Sequence, residues 1–343
     1  MKAKILLLLL AAALPAGAQP APKASPLVPA YYDTGNPADP AYLKGFSLKR
    51  DVFGAALALQ KKGLKVLLAW DIDLTLGTPL APGARVSLGS DPWWNEQSEA
   101  LLKSFTDAYG PRKSKDGKAL WPAEAQARYD ASFSRLVALN AKLHEQIALK
   151  PVEAFVPGAI KKAQRAGLPM LALTARGPEM EAATLQDLGQ DLGIDFSPTA
   201  PGGPDFALRD FKAAEGARPS LYLKGVLMTS GQNKGDQLLA LLKAAGFAPN
   251  LVFFVDDSEK NTRAVAAALK AAGLPARVFR YGKEDPRVRA YFSGPQPCVA
   301  QTQLRTFAAS GRLPPDAGIK NPACDAAENF RLIYGSTAPA AAF

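Results

Sequence analysis

The chain has little of what builds most metal and redox centres: among its 343 residues are one histidine, His144, and two cysteines, Cys298 and Cys324. Cysteine–histidine metal clusters need more ligands than that, and most histidine-based triads are excluded with them. His144 reads as a packing or surface residue. Long hydrophobic runs are missing too. The run Ile5–Leu14 is too short to span a bilayer, follows Lys2 and Lys4, and precedes the small-residue stretch Ala16-Gly17-Ala18. That layout predicts a signal peptide over residues 1–18, cleaved after Ala18. No other uncharged stretch comes close to its length, and no cysteine follows to accept a lipid. A periplasmic or secreted protein without stable membrane insertion is expected. Neither a dense basic-aromatic patch nor a cationic amphipathic helix is present, so nucleic acid and membrane surfaces are not expected partners.

What is there is ample core material, with 48% hydrophobic residues. The length allows one large domain and an accessory one. Basic residues outnumber acidic ones, 41 to 31. The excess reads either as weak attraction for an anionic substrate or as a scattered basic surface serving solubility. In an exported chain, a disulfide between Cys298 and Cys324 is expected to contribute about 3 kcal/mol by closing the segment between them.

Residues 19–40, rich in Pro and Ala, read as an extended arm. Helical spacing follows over 42–62, ended by Gly63, and then a strand over 65–70. Helices over 95–109 and 124–149 form an insertion of about seventy residues. Regular alternation resumes with a helix over 156–166, a strand over 168–174 and a helix over 178–192. Short strands over 220–223 and 226–229 precede a helix over 234–245, a strand over 251–255, a helix over 259–272 and a strand over 276–281. This alternation predicts an α/β fold with a doubly wound, mostly parallel sheet. The expected organisation is an α/β core over residues 41–78 and 151–295, the helical insertion over 79–150, and a C-terminal extension over 296–343.

Ligand sites in such sheets lie outside the carboxyl ends of the strands. Four polar signals fall there: Asp71-Ile72-Asp73-Leu74-Thr75; Thr174, followed by Ala175-Arg176-Gly177; Lys234 at a helix start; and Asp256-Asp257. Asp71 and Asp73, two positions apart on extended backbone, project to the same side, where two carboxylates repel unless a cation or a proton intervenes. The bland readings are a strand-end threonine bonded to its own backbone, an exposed helix-start lysine, a solvated Arg176 and a helix-capping Asp257. Trp93-Trp94 reads as packing or as the floor of a pocket. Arg112, Lys113 and Lys115 read as a solvated loop or as a feature that steers an anion.

These motifs, in this order over about residues 65–281, resemble the haloacid-dehalogenase-like phosphohydrolase superfamily, in particular its secreted bacterial phosphatase-like members. The insertion falls where many of those proteins carry a cap domain. The resemblance implies Asp71 as nucleophile forming an aspartyl-phosphate, and Asp73 as general acid and base with a raised pKa. It implies Thr174 and Lys234, with Arg176, on the phosphate oxygens. It also implies Mg²⁺ held by Asp71, the Asp73 backbone carbonyl and Asp256, with Asp257 in support. Leu74 stands where Gly is common, and Asn261 where many such proteins have a second acid.

The activity expected from this resemblance is that of an exported Mg²⁺-dependent phosphatase, a phosphoric monoester hydrolase acting on a small organic phosphate. Alternatives are a non-catalytic exported phosphate-binding protein, a phosphomutase or phosphotransferase using the same site, and a phospho-acceptor signalling domain.

Overall fold

A computed structural model describes residues 30–81, 84–114, 118–213 and 218–339. The expected signal peptide, the first part of the arm and Lys115 lie outside them. In chain order come β1 (Ala30–Asp33), a π-helical turn (Leu48–Gly54) running into α1 (Ala55–Lys61), β2 (Val66–Trp70), β3 (Gly77–Ala81) and β4 (Ala84–Arg85). Then follow α2 (Asp91–Tyr109), α3 (Ala123–His144), β5 (Ala148–Pro151), α4 (Val156–Arg165), β6 (Met170–Thr174) and α5 (Glu181–Gln186). The rest comprises β7 (Leu208–Phe211), β8 (Ser220–Leu223), β9 (Val226–Met228), α6 (Lys234–Ala244), β10 (Leu251–Asp256), α7 (Glu259–Ala271) and β11 (Ala276–Arg280), then α8 (Asp285–Ser293), α9 (Gln296–Ser310) and α10 (Ala326–Tyr334).

The architecture is α/β. One sheet runs β1-β11-β10-β2-β6-β9-β8-β7, parallel from β1 through β9 and antiparallel at β8 and β7. Its central strands are buried on both faces, which is why VLLAW and LVFFVD read as continuous apolar runs. Val66, Leu68 and Trp70 pack with Ile160 and Ala163 of α4 on one face. Leu67 and Ala69 pack with Leu238 of α6 and Val265 of α7 on the other. This is a Rossmann-like arrangement. From β2 the chain winds to β6 and β9 on one side, then returns to β10 and β11 on the other. The crevice between β2 and β10 is therefore the topological switch point.

A second core is built from helices. Trp93, Leu101 and Phe105 of α2 and Tyr129 and Leu136 of α3 pack with Tyr291, Leu304, Phe330 and Tyr334 from α8, α9 and α10. Trp93 is thus a packing residue, and Trp94 stands edge-on to Phe133 at 5.8 Å. The Cys298–Cys324 disulfide forms as expected. No helix among the described residues is long and apolar enough to cross a membrane.

Several elements differ from the sequence reading. The end of the arm is β1, pairing in parallel with β11, and Tyr32 stacks on Phe279 at 5.2 Å. Four residues carry too little pattern to announce an edge strand. The helix expected over 124–149 ends at His144 and gives way to β5, because Leu149 is needed in the sheet core. β5 joins β3 and β4 in a small antiparallel sheet, so the insertion is entered and left through strands. The helix expected over 178–192 breaks into a 3-10 turn, α5 and a π-helical stretch at Asp187–Asp191. Asp187 is buried there on an arginine, a constraint that periodicity does not carry.

Candidate functional site

Three strand ends meet at the switch point. Val255 of β10 is in register with Trp70 of β2, and Asp71 N donates to Val255 O at 2.9 Å. Asp71 and Asp256 therefore leave the sheet side by side. Beyond β2 the chain turns tightly through Leu74 at φ 55°, a left-handed conformation unusual for a residue with a side chain. The turn brings the Thr75 hydroxyl under Asp257, whose backbone N–H donates to it at 3.0 Å.

Lys234 opens α6, with Asn233 as its cap accepting from Gly235 N and Asp236 N. Gly235 is required by the packing: a Cβ there would lie 2.5 Å from Ala268 Cβ on α7. This close approach delivers the buried Lys234 ammonium between two carboxylates, 2.5 Å from Asp71 Oδ1 and 2.7 Å from Asp256 Oδ2. The two acids hold the lysine charged in spite of its burial. One of its three protons remains for a further acceptor.

Asp71, Asp256 and Asp257 each offer a carboxylate oxygen, all within 4.8 Å of one another. Burial, then repulsion from Asp256, pushes Asp71 up to about 7 against the pull of Lys234. Burial, then repulsion from Asp256, Asp71 and Asp91, raises Asp257 well above the usual carboxylate range against the pull of Lys234. One lysine therefore does not balance the cluster. A cation among three oxygen donors would, and oxygen-only donors suit Mg²⁺ rather than zinc. The residues fit the group.

Asp73 departs from its expected state. Burial alone would raise its pKa, but Arg176 overturns that and holds it below the usual range. The guanidinium is bidentate to Asp73, Nε to Oδ2 at 2.9 Å and Nη2 to Oδ1 at 2.6 Å. Its third nitrogen, Nη1, donates to Asp187 Oδ2 at 2.5 Å and to Thr184 Oγ1 at 3.2 Å. Arg176 is thus a buried clamp between two acids rather than a free phosphate ligand. His144 Nδ1 lies 3.8 Å from Asp187 Oδ2, so the single histidine reaches this network from α3. Thr174 is buried at the end of β6. Its hydroxyl accepts from Arg176 N at 3.2 Å, and its hydrogen has no acceptor among the described residues.

Sequence reasoning missed two residues. Asp187 sits inside a helical run and carries no motif. Asp91, the first residue of α2, brings a carboxyl from the helical layer toward Asp73 and Asp71, and burial first, then those two charges, raises its pKa well above the usual range. Ser90-Asp91-Pro92 is readable as a helix start, but not as a wall of a site some twenty residues upstream. The cap of α7 is Ser258, accepting from Asn261 N, rather than Asp257. Asn261 Nδ2 lies 3.5 Å from Asp256 Oδ1.

Residues 55–309 match the family described as Protein of unknown function (DUF2608), and the chain belongs to that family. No curated protein matches the chain. The resemblance to the haloacid-dehalogenase-like superfamily is overturned by this result: the matching family is one of unknown function, and no family of that superfamily matches. A few acids, a threonine and a lysine at strand ends make a short pattern, which a parallel sheet of other descent can present.

Proposed function

We propose that the protein is an exported phosphomonoesterase that hydrolyses a small organic phosphate with Mg²⁺ through an aspartyl-phosphate on Asp71. The observation that carries this reading is the buried Asp71 carboxylate at the switch point, flanked by Lys234 and by two further acids able to share a cation. Asp71, Asp256 and Asp257, with the Asp73 backbone carbonyl, would hold Mg²⁺, which neutralises charge so that an anionic ester can meet an anionic nucleophile.

An Asp71 oxygen bonds to phosphorus as the ester P–O bond breaks. The Thr174 hydroxyl and the remaining Lys234 proton face the phosphoryl oxygens and stabilise the charge there. Asp73 gives a proton to the leaving oxygen and regains one from the water that releases inorganic phosphate. Arg176 biases Asp73 toward its ionised form, which suits the water step and hinders the first. Aryl and acyl phosphates, whose leaving oxygens depart readily, are therefore better substrates than alkyl esters. The layer of α2 and α3 serves as a cap that excludes water, with Asp91 on its inner side.

Purified protein is expected to hydrolyse 4-nitrophenyl phosphate in Mg²⁺, with activity lost on chelation and in Asp71→Asn. Full activity of Asp71→Asn refutes the mechanism. The pairing of Asp73 with Arg176 also favours a second reading, a phosphate-binding protein without turnover. Tight binding of Mg²⁺ and vanadate with no hydrolysis of a broad ester panel would select it. A phosphomutase would instead pass the phosphoryl group to a second hydroxyl. The disulfide fits export, since such bonds persist in oxidising compartments.

A further inference from the structure

The parallel sheet has a second edge, opposite the acid cluster, where the strands begin. Four helices end there and turn back into strands: α1 into β2, α4 into β6, α6 into β10 and α7 into β11. The turns are neighbours. Gln60 Nε2 donates to Ala166 O at 3.3 Å, Asn250 N to Lys65 O at 2.8 Å and Val252 N to Pro275 O at 3.0 Å, which ties the four into one row. The β8–β9 turn, Lys224-Gly225, extends the row past β6, where Ala172 N donates to Gly225 O at 2.9 Å.

Each turn presents basic residues. Lys61 and Lys62 end α1, and Lys65 precedes β2. Lys162 and Arg165 lie in the last turn of α4, Lys243 in that of α6 and Lys270 in that of α7. With Lys224 these are eight exposed cations, and the stretches 60–66, 161–169, 220–229, 243–251 and 270–277 hold no Asp or Glu. None of the eight has a carboxylate partner or donates a side-chain hydrogen bond among the described residues. One acid comes near, Asp195, whose backbone O accepts from Gln164 Nε2 at 2.6 Å; its carboxylate accepts from Ser197 N. Cations at helix carboxyl ends offset the macrodipole, but at roughly half a charge per end four helices supply only about two negative charges. Most of the positive charge is left facing water.

We propose that this face docks the protein on a membrane surface rich in anionic phospholipid headgroups. Lysine suits that partner, since a compact ammonium on a flexible stem follows phosphates in a fluid array. The apolar residues of the turns are turned inward: Leu168 is buried, and Leu64, Phe247 and Leu274 pack against the sheet cores. Nothing is left to stack on bases or to wedge between acyl chains, so the attachment is electrostatic and reversed by salt. β1 also begins at this edge, Ala30 opposite Arg277, so the segment expected to engage a membrane on export leads into the same face. The acid cluster, at the other edge, is turned away from the lipid. No basic run announces the face in the sequence, because its cations come from five turns spread between residues 61 and 270.

The test is cosedimentation with vesicles of phosphatidylcholine alone and of phosphatidylcholine containing about one-third phosphatidylglycerol. Wild type is compared with Lys62→Gln/Lys162→Gln/Lys243→Gln/Lys270→Gln and with a control of equal net charge, Lys113→Gln/Lys142→Gln/Lys283→Gln/Lys320→Gln, all eight positions being exposed. Wild type is expected to bind the anionic vesicles at low salt, to leave them at about 0.5 M salt and to ignore the neutral ones. Since each lysine near such a surface is worth roughly fivefold, the face variant should bind at least about tenfold more weakly, and the control within about threefold of wild type. No binding to anionic vesicles, equal binding to neutral ones, or an equal loss in both variants overturns the proposal. So does duplex DNA that binds more tightly than the vesicles at equal phosphate, which would make nucleic acid the partner. Any of these results leaves the reaction proposed at Asp71 standing.

Discussion

At the scale of single residues, the site is a balance of buried charges in which each cation serves two acids. Replacing Arg176 by Gln leaves Asp73 and the fully buried Asp187 without their shared partner, and is expected to cost about 3–5 kcal/mol in denaturant unfolding. The double variant Arg176→Gln/Asp187→Asn should lose less than the sum of the single changes, and strict additivity would show that the clamp is not a coupled unit. In chelator the acid cluster has a pH signature of its own. Asp71, raised to about 7, binds a proton in the native state that the unfolded chain, near the usual ~4, does not. The sign follows: this contribution to stability is fully present below about pH 4 and is lost as pH rises toward 7. Asp71→Asn should remove that part of the slope, read as urea midpoints of the two proteins across this range in EDTA; identical slopes would contradict it. Asp71, Asp256 and Lys234 were visible in the sequence as strand-end or helix-start polar residues. Asp187 and Asp91 were not, since burial against a distant partner leaves no periodicity behind.

At the scale of elements, strand ends and one tight helix pair place the chemistry. Gly235 lets α6 approach α7 closely enough for Lys234 to enter the sheet edge. Gly235→Ala is expected to destabilise the protein by about 1–3 kcal/mol through overpacking. It should also depress activity further than Leu269→Val, a comparably destabilising change in the same core that leaves Lys234 in place. Equal activity of the two variants at equal stability would argue that the helix separation does not position Lys234. The parallel strands were legible because burial on both faces writes long apolar runs into β2, β6 and β10. The edge strands β1 and β7 and the hairpin of β3 and β4 were not, being too short to write a pattern; β1 and β3 in addition depend on distant partners, β11 and β5. The break after α5 was hidden as well, because the pull of Arg176 on Asp187 outweighs local helical preference.

At the scale of the whole molecule, two cores meet at the site: the sheet core that supplies the acids, and a helical core completed by the C-terminal helices. The disulfide fastens α9 to the segment leading into α10. Replacing both cysteines by serine is expected to cost about 3 kcal/mol, measured by chemical unfolding against the oxidised wild type. A loss confined to well under 1 kcal/mol would mean that helix packing alone closes this region. The sequence by itself determined the α/β class, the central strands, the disulfide and the set of acids at strand ends, because these follow from local apolar runs, composition and backbone periodicity. Only the tertiary structure decided that Arg176 clamps Asp73, that Asp91 and His144 arrive from the helical layer, and that the C-terminal helices finish the second core. Those contacts join residues as far as 237 positions apart. Their free energy comes from desolvation and charge compensation on folding, which no local pattern records.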